Sequence, residues 1–310
     1  MGLRVRTNIA SLNAQRRLSA STEALQNSAA KLASGERINK AADDAAGLAI
    51  SENLRASVRS LNQAKRNTLD AVSLIQTAEG GLNETTNMLV RLRELAIQSA
   101  SDTIGPKERG YLDEEFHALK NEVDRIATTT EFNGTHLLIG EHEVADDLRG
   151  QTPSFPLEIQ VGKDYYNKTD ALDSAAPVNV FRIDLQKLNA FTSGENSLKL
   201  DESTGGDKID GISDKHSAQL LIGRMDEAIE QVSSYRSYLG AMQNRLEHAN
   251  ANLGVQVENL DSARSRIRDT DFAAETAEYT KNKIMQQAGT SILAQANQQP
   301  QVALSLLQNL

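Results

Sequence analysis

The sequence predicts a mostly α fold, an elongated rod of long antiparallel heptad helices in a coiled-coil-like bundle with a small β and loop region. Three observations predict it. From Ala218 to Leu253, apolar residues step alternately by three and four, at Ala218, Leu221, Met225, Ala228, Val232, Tyr235, Leu239, Met242, Leu246, Ala249 and Leu253. A 3.5-residue repeat sustained this long requires partner helices along its whole seam. The second observation is that two earlier stretches, about 44–100 and from Pro106 through Ile126, carry the same repeat. The third is that the character changes between residues 131 and 215, which hold three of the five prolines, eight of the nineteen glycines and six of the twelve Phe and Tyr residues.

Composition narrows the classes. The 310 residues contain no cysteine and no tryptophan, which excludes disulfides, thiolate metal sites and a cysteine nucleophile. Mean hydropathy is -0.46 and no long apolar run or cleavable signal peptide is expected, so the chain reads as non-membrane. The formal charge of -9 is uneven, with 16 acidic against 8 basic residues in 131–215 and 7 basic against 2 acidic in 1–40. That basic arm lacks interleaved aromatics, so it reads as a solvated or subunit-facing helix surface and no nucleic-acid partner is expected.

Taken in order, residues 5–33 predict a first helix with Leu18, Leu25 and Leu32 at heptad spacing and Ile9 and Leu12 on an earlier turn. Such a narrow stripe is ordered only against something else. Ser34-Gly35 ends it, with Gly35 suited to a left-handed closing position, and residues 34–44 form a spoke to the next helix. That helix, about 44–100, places Leu54, Val58, Leu61, Val72, Ile75, Leu82, Leu89 and Ala96 on one frame, with Lys65, Thr68, Glu79, Thr86 and Arg93 in its polar slots. Gly80-Gly81 inside it predicts a close backbone approach or a slight bend. Pro106 suits the first turn of a third helix carrying Leu112, Phe116, Leu119, Val123 and Ile126. The short loop before it predicts an antiparallel hairpin, completed by the 218–267 helix.

In the middle region Phe132–Ile139, Leu157–Val161 and Val178–Leu185 alternate as strands do, and Glu202–Gly211 is a polar connector. After the long helix, whose seam runs on through Val257, Leu260 and Ile267, Arg268-Asp269-Thr270-Asp271 opens a last amphipathic segment. Ala273, Ala277, Ile284, Ala288 and Ile292 share its stripe, Pro300 punctuates it, and Leu304, Leu306, Leu307 and Leu310 follow.

These segments resemble bacterial flagellin. Val5 to Asn13 resembles the opening of that family, and Ser34-Gly35-Glu36-Arg37-Ile38-Asn39-Lys40-Ala41-Ala42-Asp43-Asp44-Ala45-Ala46-Gly47 its most diagnostic motif. Arg91 to Ala100, Glu131 to Thr135 and Ile292 to Gln298 match further segments, so the resemblance covers nearly all of 1–140 and 216–307. The chain departs in its short middle, in Gly81 where the family often has Ala, and in a C-terminus that continues through Gln308-Asn309-Leu310. The resemblance implies a self-assembling subunit of the extracellular flagellar filament, serving motility and exported without a cleaved signal peptide. Terminal helices 1–43 and 269–310 would pair as an inner tube in the polymer, 44–140 with 216–268 would form the rod, and 141–215 a short outer face. The residues assigned to polymerisation are Ile9, Leu12, Leu18, Leu25, Leu32, Arg37, Asn39, Asp43, Ile284, Ala288, Ile292, Leu304 and Leu307. Implied partners are other copies of the chain, an export chaperone, cap and junction proteins, and a host Toll-like receptor touching Arg91, Leu95 and Glu115. The alternatives are the hook-filament junction protein and a flagellin-derived adhesin.

No catalytic chemistry is expected. The nearest approach to a zinc-peptidase helix, His142-Glu143-Val144-Ala145-Asp146, lacks its second histidine, and His117, His136, His216 and His248 have no ligand spacing. Asp43-Asp44 at a helix start favours the helix dipole over an acid–base pair. Neither metal nor cofactor is predicted.

Overall fold

The computed structural model describes residues 8–140, 156–164, 179–185, 188–193, 197–200 and 211–308, with the side chains of the last helix described to residue 298. Among the described residues are five helices and two strand pairs: α1 (Ile9–Ser34), α2 (Ala45–Ser99), α3 (Pro106–Thr129), β1 (Glu131–Phe132), β2 (Thr135–His136), β3 (Leu157–Gln160), β4 (Val180–Ile183), α4 (Lys215–Arg268) and α5 (Phe272–Gln308). The chain divides into two units, residues 1–58 with 258–310 and residues 59–257.

In the second unit the α4 seam is buried as its spacing requires. Ala218, Leu221, Met225, Ala228, Val232, Leu239, Leu246 and Leu253 are all buried, and Tyr235 and Met242 pack half-buried beside them. The α2 seam corrects its sequence frame. Leu61, Ile75, Leu82, Leu89 and Ala96 are buried as expected, but so is Thr68, and the companion positions are Ala64, Ala71, Ala78, Thr85, Leu92 and Ser99. Lys65, Glu79, Thr86 and Arg93, placed on the frame by sequence, are half-buried flanks. Arg93 reaches Asp226 at 2.6 Å and Arg236 lies 3.8 Å from Glu79, so α2 and α4 run antiparallel. Thr68 and Thr85 satisfy their hydroxyls on the carbonyls of Ala64 and Gly81 one turn back, which lets a polar side chain occupy an apolar seam. On α3 Phe116 and Val123 are buried as expected, while the companion positions fall at Lys120 and Ala127, one residue past the half-buried Leu119 and Ile126.

The hairpin of α2 and α3 is fastened at its bend. Arg109 donates to the carbonyls of Ser99 and Ser101 at 2.9 and 3.0 Å, supplying the cation that the last turn of α2 lacks. Pro106 occupies the first turn of α3 as predicted.

Of the two glycines inside α2, only Gly81 sits in a close approach. A Cβ there would stand 2.7 Å from Thr130 Oγ1 and 2.8 Å from Leu138 Cδ1, whereas Gly80 faces open space. Gly80→Ala is therefore expected to stabilise the second unit by up to about 1 kcal/mol through helix propensity alone. Gly81→Ala should show none of that gain, because Thr130 and Leu138 must move. Thermal melts of the two variants check this, and an equal rise in both would refute the close approach.

The expected strand Phe132–Ile139 is broken. Asn133 (φ 52°) and Gly134 (φ 78°) both take left-handed backbone and turn β1 into β2 as a two-residue hairpin, pairing Glu131 with His136 and Phe132 with Thr135. An Asn-Gly pair favours that primed turn, and it overrode the apolar alternation. Leu137, Leu138 and Ile139 then run into the core, where the Ala190 N–H donates to the Leu138 carbonyl at 2.9 Å. The other two expected strands pair antiparallel, Leu157 opposite Ile183 through Gln160 opposite Val180. Asp124 on α3 holds Thr192 at its amide and hydroxyl, and Asp113 accepts the Ile212 amide at 2.6 Å, so helix carboxylates anchor the irregular segment. Residues 202–210 of the expected connector lie outside the described residues.

Candidate assembly surface

The first unit is built on α1 and α5, which lie antiparallel and close, with Cα atoms within 8 Å along the pair. The spacing follows from small residues. Positions turned inward on α1 are Ser11, Ala14, Leu18, Ser21, Leu25, Ser28 and Leu32, and on α5 they are Glu275, Tyr279, Asn282, Gln286, Gly289, Leu293 and Ala296. Both sets step by three and four, yet apart from the leucines and Tyr279 they are small or polar. A Cβ on Gly289 would stand 3.3 Å from Leu18 Cδ1. Ser21 donates to the Asn282 carbonyl at 3.2 Å and Ser11 to Asn297 Oδ1 at 2.7 Å.

One tie explains Pro300, which the helix passes through where the sequence suggested a break. Proline has no N–H, so the Ala296 carbonyl four residues earlier loses its helical donor. The Asn8 amide supplies one at 2.7 Å, while Asn8 Oδ1 caps α1 by accepting from the Ser11 amide at 3.0 Å. Asn8 was missed by sequence reasoning, although an Asn directly before the first apolar-periodic residue is an N-cap signal.

With that seam inward, the large apolar residues of the pair face out. Ile9, Leu12, Ile284, Met285 and Ile292 are 49–59% exposed, as is Phe272 at the start of α5. Ala288 is exposed too, while Leu18, Leu25 and Leu32 are half-buried toward α5. Leu304 and Leu307 lie in α5 with their side chains outside the described residues.

The spoke is a dense set of caps. Gly35 closes α1 at φ 72°, and its carbonyl accepts the Thr270 amide at 3.0 Å. Arg37 donates from its backbone to the Arg268 carbonyl and from its guanidinium to the Ile267 carbonyl, both at 2.6 Å. Arg268 in turn holds Glu36 at 2.9 Å and Glu52 at 2.6 Å, joining spoke, α2 and α4, a role no local sequence signal announced. Asn39 donates to the Ala30 carbonyl and Ser34 Oγ, and Ile38 is 2% exposed against Gly47, where a Cβ would lie 2.8 Å from Ile38 Cδ1. Asp43 accepts the Asn39 and Lys40 amides at 3.0 and 2.9 Å, and Asp44 accepts the Gly47 amide at 2.9 Å. Both carboxylates at this helix start thus act as acceptors for backbone amides.

The amide of Lys40, followed by that of Asn39, holds the Asp43 carboxyl below its ordinary value of 3.8. A depressed carboxylate contributes order above its unfolded pKa and loses it as pH falls through the folded one. Asp43→Asn should therefore weaken assembly at pH 7, and variant and wild type should converge only as pH falls below 3.8 through the lowered folded value. Sedimentation of polymer across that range reads this out.

Comparison with known proteins places these features. Residues 5–143 match the family model of the bacterial flagellin N-terminal helical region, and residues 222–307 that of the C-terminal helical region. The chain is 42% identical to a flagellin of Halalkalibacterium halodurans over 97% of this chain and 98% of that one. The chain belongs to the bacterial flagellin family. It is also 43% identical to a flagellin of Bacillus subtilis, covering 98% of this chain and all of that one, and 39% identical to the flagellar filament 33 kDa core protein of Treponema phagedenis, covering 97% and 98%. Among solved structures, a Vibrio parahaemolyticus protein described as flagellar hook-associated shares the fold at 12% identity with a TM-score of 0.54, covering 73% of this chain and all of that one.

The receptor positions implied by the flagellin resemblance separate in the structure. Arg91 and Glu115 are exposed and paired across α2 and α3 at 2.8 Å, with Glu94 at 3.1 Å on the other side. Leu95 is fully buried in the core of the second unit. Flagellins are structural proteins, and no cluster that could hold a metal ion occurs among the described residues. No helix among them is long and apolar enough to cross a membrane. His142-Glu143 lies outside the described residues.

Proposed function

We propose that this chain is the structural subunit of an extracellular flagellar filament, polymerising through its paired terminal helices. One observation carries the reading beyond family membership. Ile9, Leu12, Ile284, Met285 and Ile292 are about half exposed on a helix pair whose own seam is small and polar. Burying the exposed part of such side chains contributes on the order of 1 kcal/mol each. A helix pair this thin gains its order from neighbours, which is burial shared among copies.

In this proposal residues 1–43 and 269–310 line the inside of the tube, 44–140 with 216–268 surround it, and 141–215 face outward. Ile9, Leu12, Ile284, Ala288 and Ile292 make contacts between copies. Leu18, Leu25 and Leu32 set the α1–α5 pairing, and Arg37, Asn39 and Asp43 fix the spoke. Leu304 and Leu307 are assigned to the same contacts between copies. Export without a cleaved signal peptide, a chaperone for the apolar C-terminus, and cap and junction proteins complete the expected partners. The hook-filament junction alternative has in its favour only a fold likeness, whereas the relatives matched over their full length include named flagellins. Electron microscopy after seeding tests the function: long tubes of uniform width are expected, and persistent monomers would overturn it.

A host Toll-like receptor remains a proposed partner through Arg91 and Glu115. Arg91→Ala with Glu115→Ala should leave polymerisation nearly intact, since exposed pairs are worth little, and should weaken signalling in reporter cells given depolymerised protein. Unchanged signalling would remove these residues from the contact.

A further inference from the structure

Among the described residues, the asparagines outside the helices are tied down with one exception. Asn8 donates to the Ala296 carbonyl, Asn39 to the Ala30 carbonyl and Ser34 Oγ, and Asn179 to the Asp164 carbonyl, while Asn189 accepts the Phe191 amide. Asn133 is the exception. Its carboxamide makes no hydrogen bond among the described residues, and it lies exposed in left-handed backbone at φ 52°, directly before Gly134 at φ 78°. We propose that Asn133-Gly134 is a self-modification site, where the Gly134 nitrogen closes on the Asn133 side chain and converts it to aspartate or isoaspartate without an enzyme.

The conversion needs only water. Hydroxide removes the Gly134 amide proton, the nitrogen attacks Cγ of Asn133, and the Cγ–Nδ2 bond breaks. Nδ2 leaves as ammonia after taking a proton from water, which regenerates the hydroxide, and a cyclic succinimide remains. A water molecule then opens the ring at one of its two carbonyls. Cleavage at Cγ gives aspartate in an ordinary backbone. Cleavage at the main-chain carbonyl gives isoaspartate, whose backbone runs through the side chain.

Each requirement of the attack is met at this pair. A glycine nitrogen is the least hindered nucleophile, because no Cβ shields it, and this is the only Asn-Gly pair in the chain. Space around Gly134 is open, with nothing within 4 Å of the place a Cβ would take. The Gly134 N–H has no acceptor among the described residues, since Phe132 and Thr135 close the ladder and leave the turn amides outside it.

The two products differ in what the turn tolerates. Asp-Gly supports the same primed turn as Asn-Gly, so aspartate keeps the hairpin. Isoaspartate adds an atom to a turn whose length sets the pairing of Glu131 with His136 and of Phe132 with Thr135. The disturbance passes to the Leu137 amide, which donates to the Thr130 carbonyl at 3.0 Å, and to the buried Leu137 and Leu138. Isoaspartate therefore loosens the hairpin where it enters the core of the second unit.

The experiment holds folded full-length protein at mildly alkaline pH and follows its digested peptides by mass spectrometry. The peptide with Asn133 is expected to gain mass first, by the difference between a hydroxyl and an amino group, and electron-transfer fragmentation identifies the isoaspartate. Peptides with Asn39 and Asn189 should convert slower by about tenfold or more, because their carboxamides are bound and a residue with a Cβ follows each. Gly134→Asn keeps left-handed backbone accessible while adding a Cβ, and should slow conversion of Asn133 by about tenfold with a nearly unchanged melt. Conversion of that variant at the wild-type rate would overturn attack by this nitrogen. Folded protein that keeps Asn133 intact, while the urea-unfolded chain converts it, would mean that the hairpin shields the pair and would overturn the site. Hydrogen exchange reads the consequence. The isoaspartate fraction should lose protection at the Leu137 amide, whereas Asn133→Asp should match wild type, and equal protection in the isoaspartate fraction would overturn the loosening.

Discussion

Leu239→Asp or Leu246→Asp is expected to unfold the bundle of the second unit. Both leucines are fully buried in the α4 seam, inside the cluster that includes Ile75, Leu82 and Leu89 of α2. An unpaired carboxylate there has neither water nor a cation in the apolar layer, a cost on the order of 3–5 kcal/mol. Native domains hold only about 5–15 kcal/mol in all. Aspartate also removes the leucine volume from a layer that α2 cannot refill, because its companion positions Ala71, Ala78 and Thr85 are already small. Val255→Asp supplies the control, since Val255 lies on the same helix but is 58% exposed. Circular dichroism should show lost helix and a lowered melting temperature for the two leucine variants and a nearly unchanged melt for Val255→Asp. Equal melts for all three would mean that the α4 seam faces solvent.

The same contrast explains what the sequence made legible. The α4 seam could be read residue by residue because every a and d position from Ala218 to Leu253 is apolar and most are large, which leaves one face to bury. The α2 seam was half legible. Its leucines fixed one set of positions, but the companions are Ala64, Ala71, Ala78, Thr85 and Ser99, and small residues look alike on seam and surface. Apolar Val72 therefore drew the frame one residue too far. Pro106, Gly35 and the spoke were visible because each is punctuation with a single geometric use. Asn133-Gly134 was equally visible as a turn, and it breaks a stretch whose apolar alternation reads as one strand.

The assembly surface was the hardest to orient. A stripe such as Ala273, Ala277, Ile284, Ala288 and Ile292 shows that a face seeks burial, and it cannot show whether the covering partner lies in the same chain. The structure turns Gln286, Gly289 and Leu293 toward α1 and leaves Ile284, Met285 and Ile292 outside.

That division between inward and outward faces sets the second large effect, the separation of folding from assembly. The α1–α5 seam consists mostly of Ser, Ala, Asn, Gln and Gly, and its buried members include Ser28 and Asn282. Ordering costs roughly 1–2 kcal/mol of backbone entropy per residue. A seam this poor in apolar area does not meet that cost in an isolated subunit, so both ends should be mobile in the monomer and become ordered only when Ile9, Leu12, Ile284, Met285 and Ile292 are covered by neighbours. The bundle of α2, α3 and α4 has its own apolar core and needs no such help. A chain cut to residues 44–268 is therefore expected to stay helical, melt cooperatively and remain monomeric at high concentration, yet fail to elongate wild-type seeds. Hydrogen exchange on the full chain adds the second reading. Amides of α1 and α5 should exchange freely in the monomer and become protected in the polymer, while those of α4 from Leu221 to Leu246 stay protected in both. Strong protection of α1 and α5 in the monomer would mean that the small polar seam, with Asn8 on the Ala296 carbonyl and Ser21 on that of Asn282, suffices to fold the ends before any copy meets another.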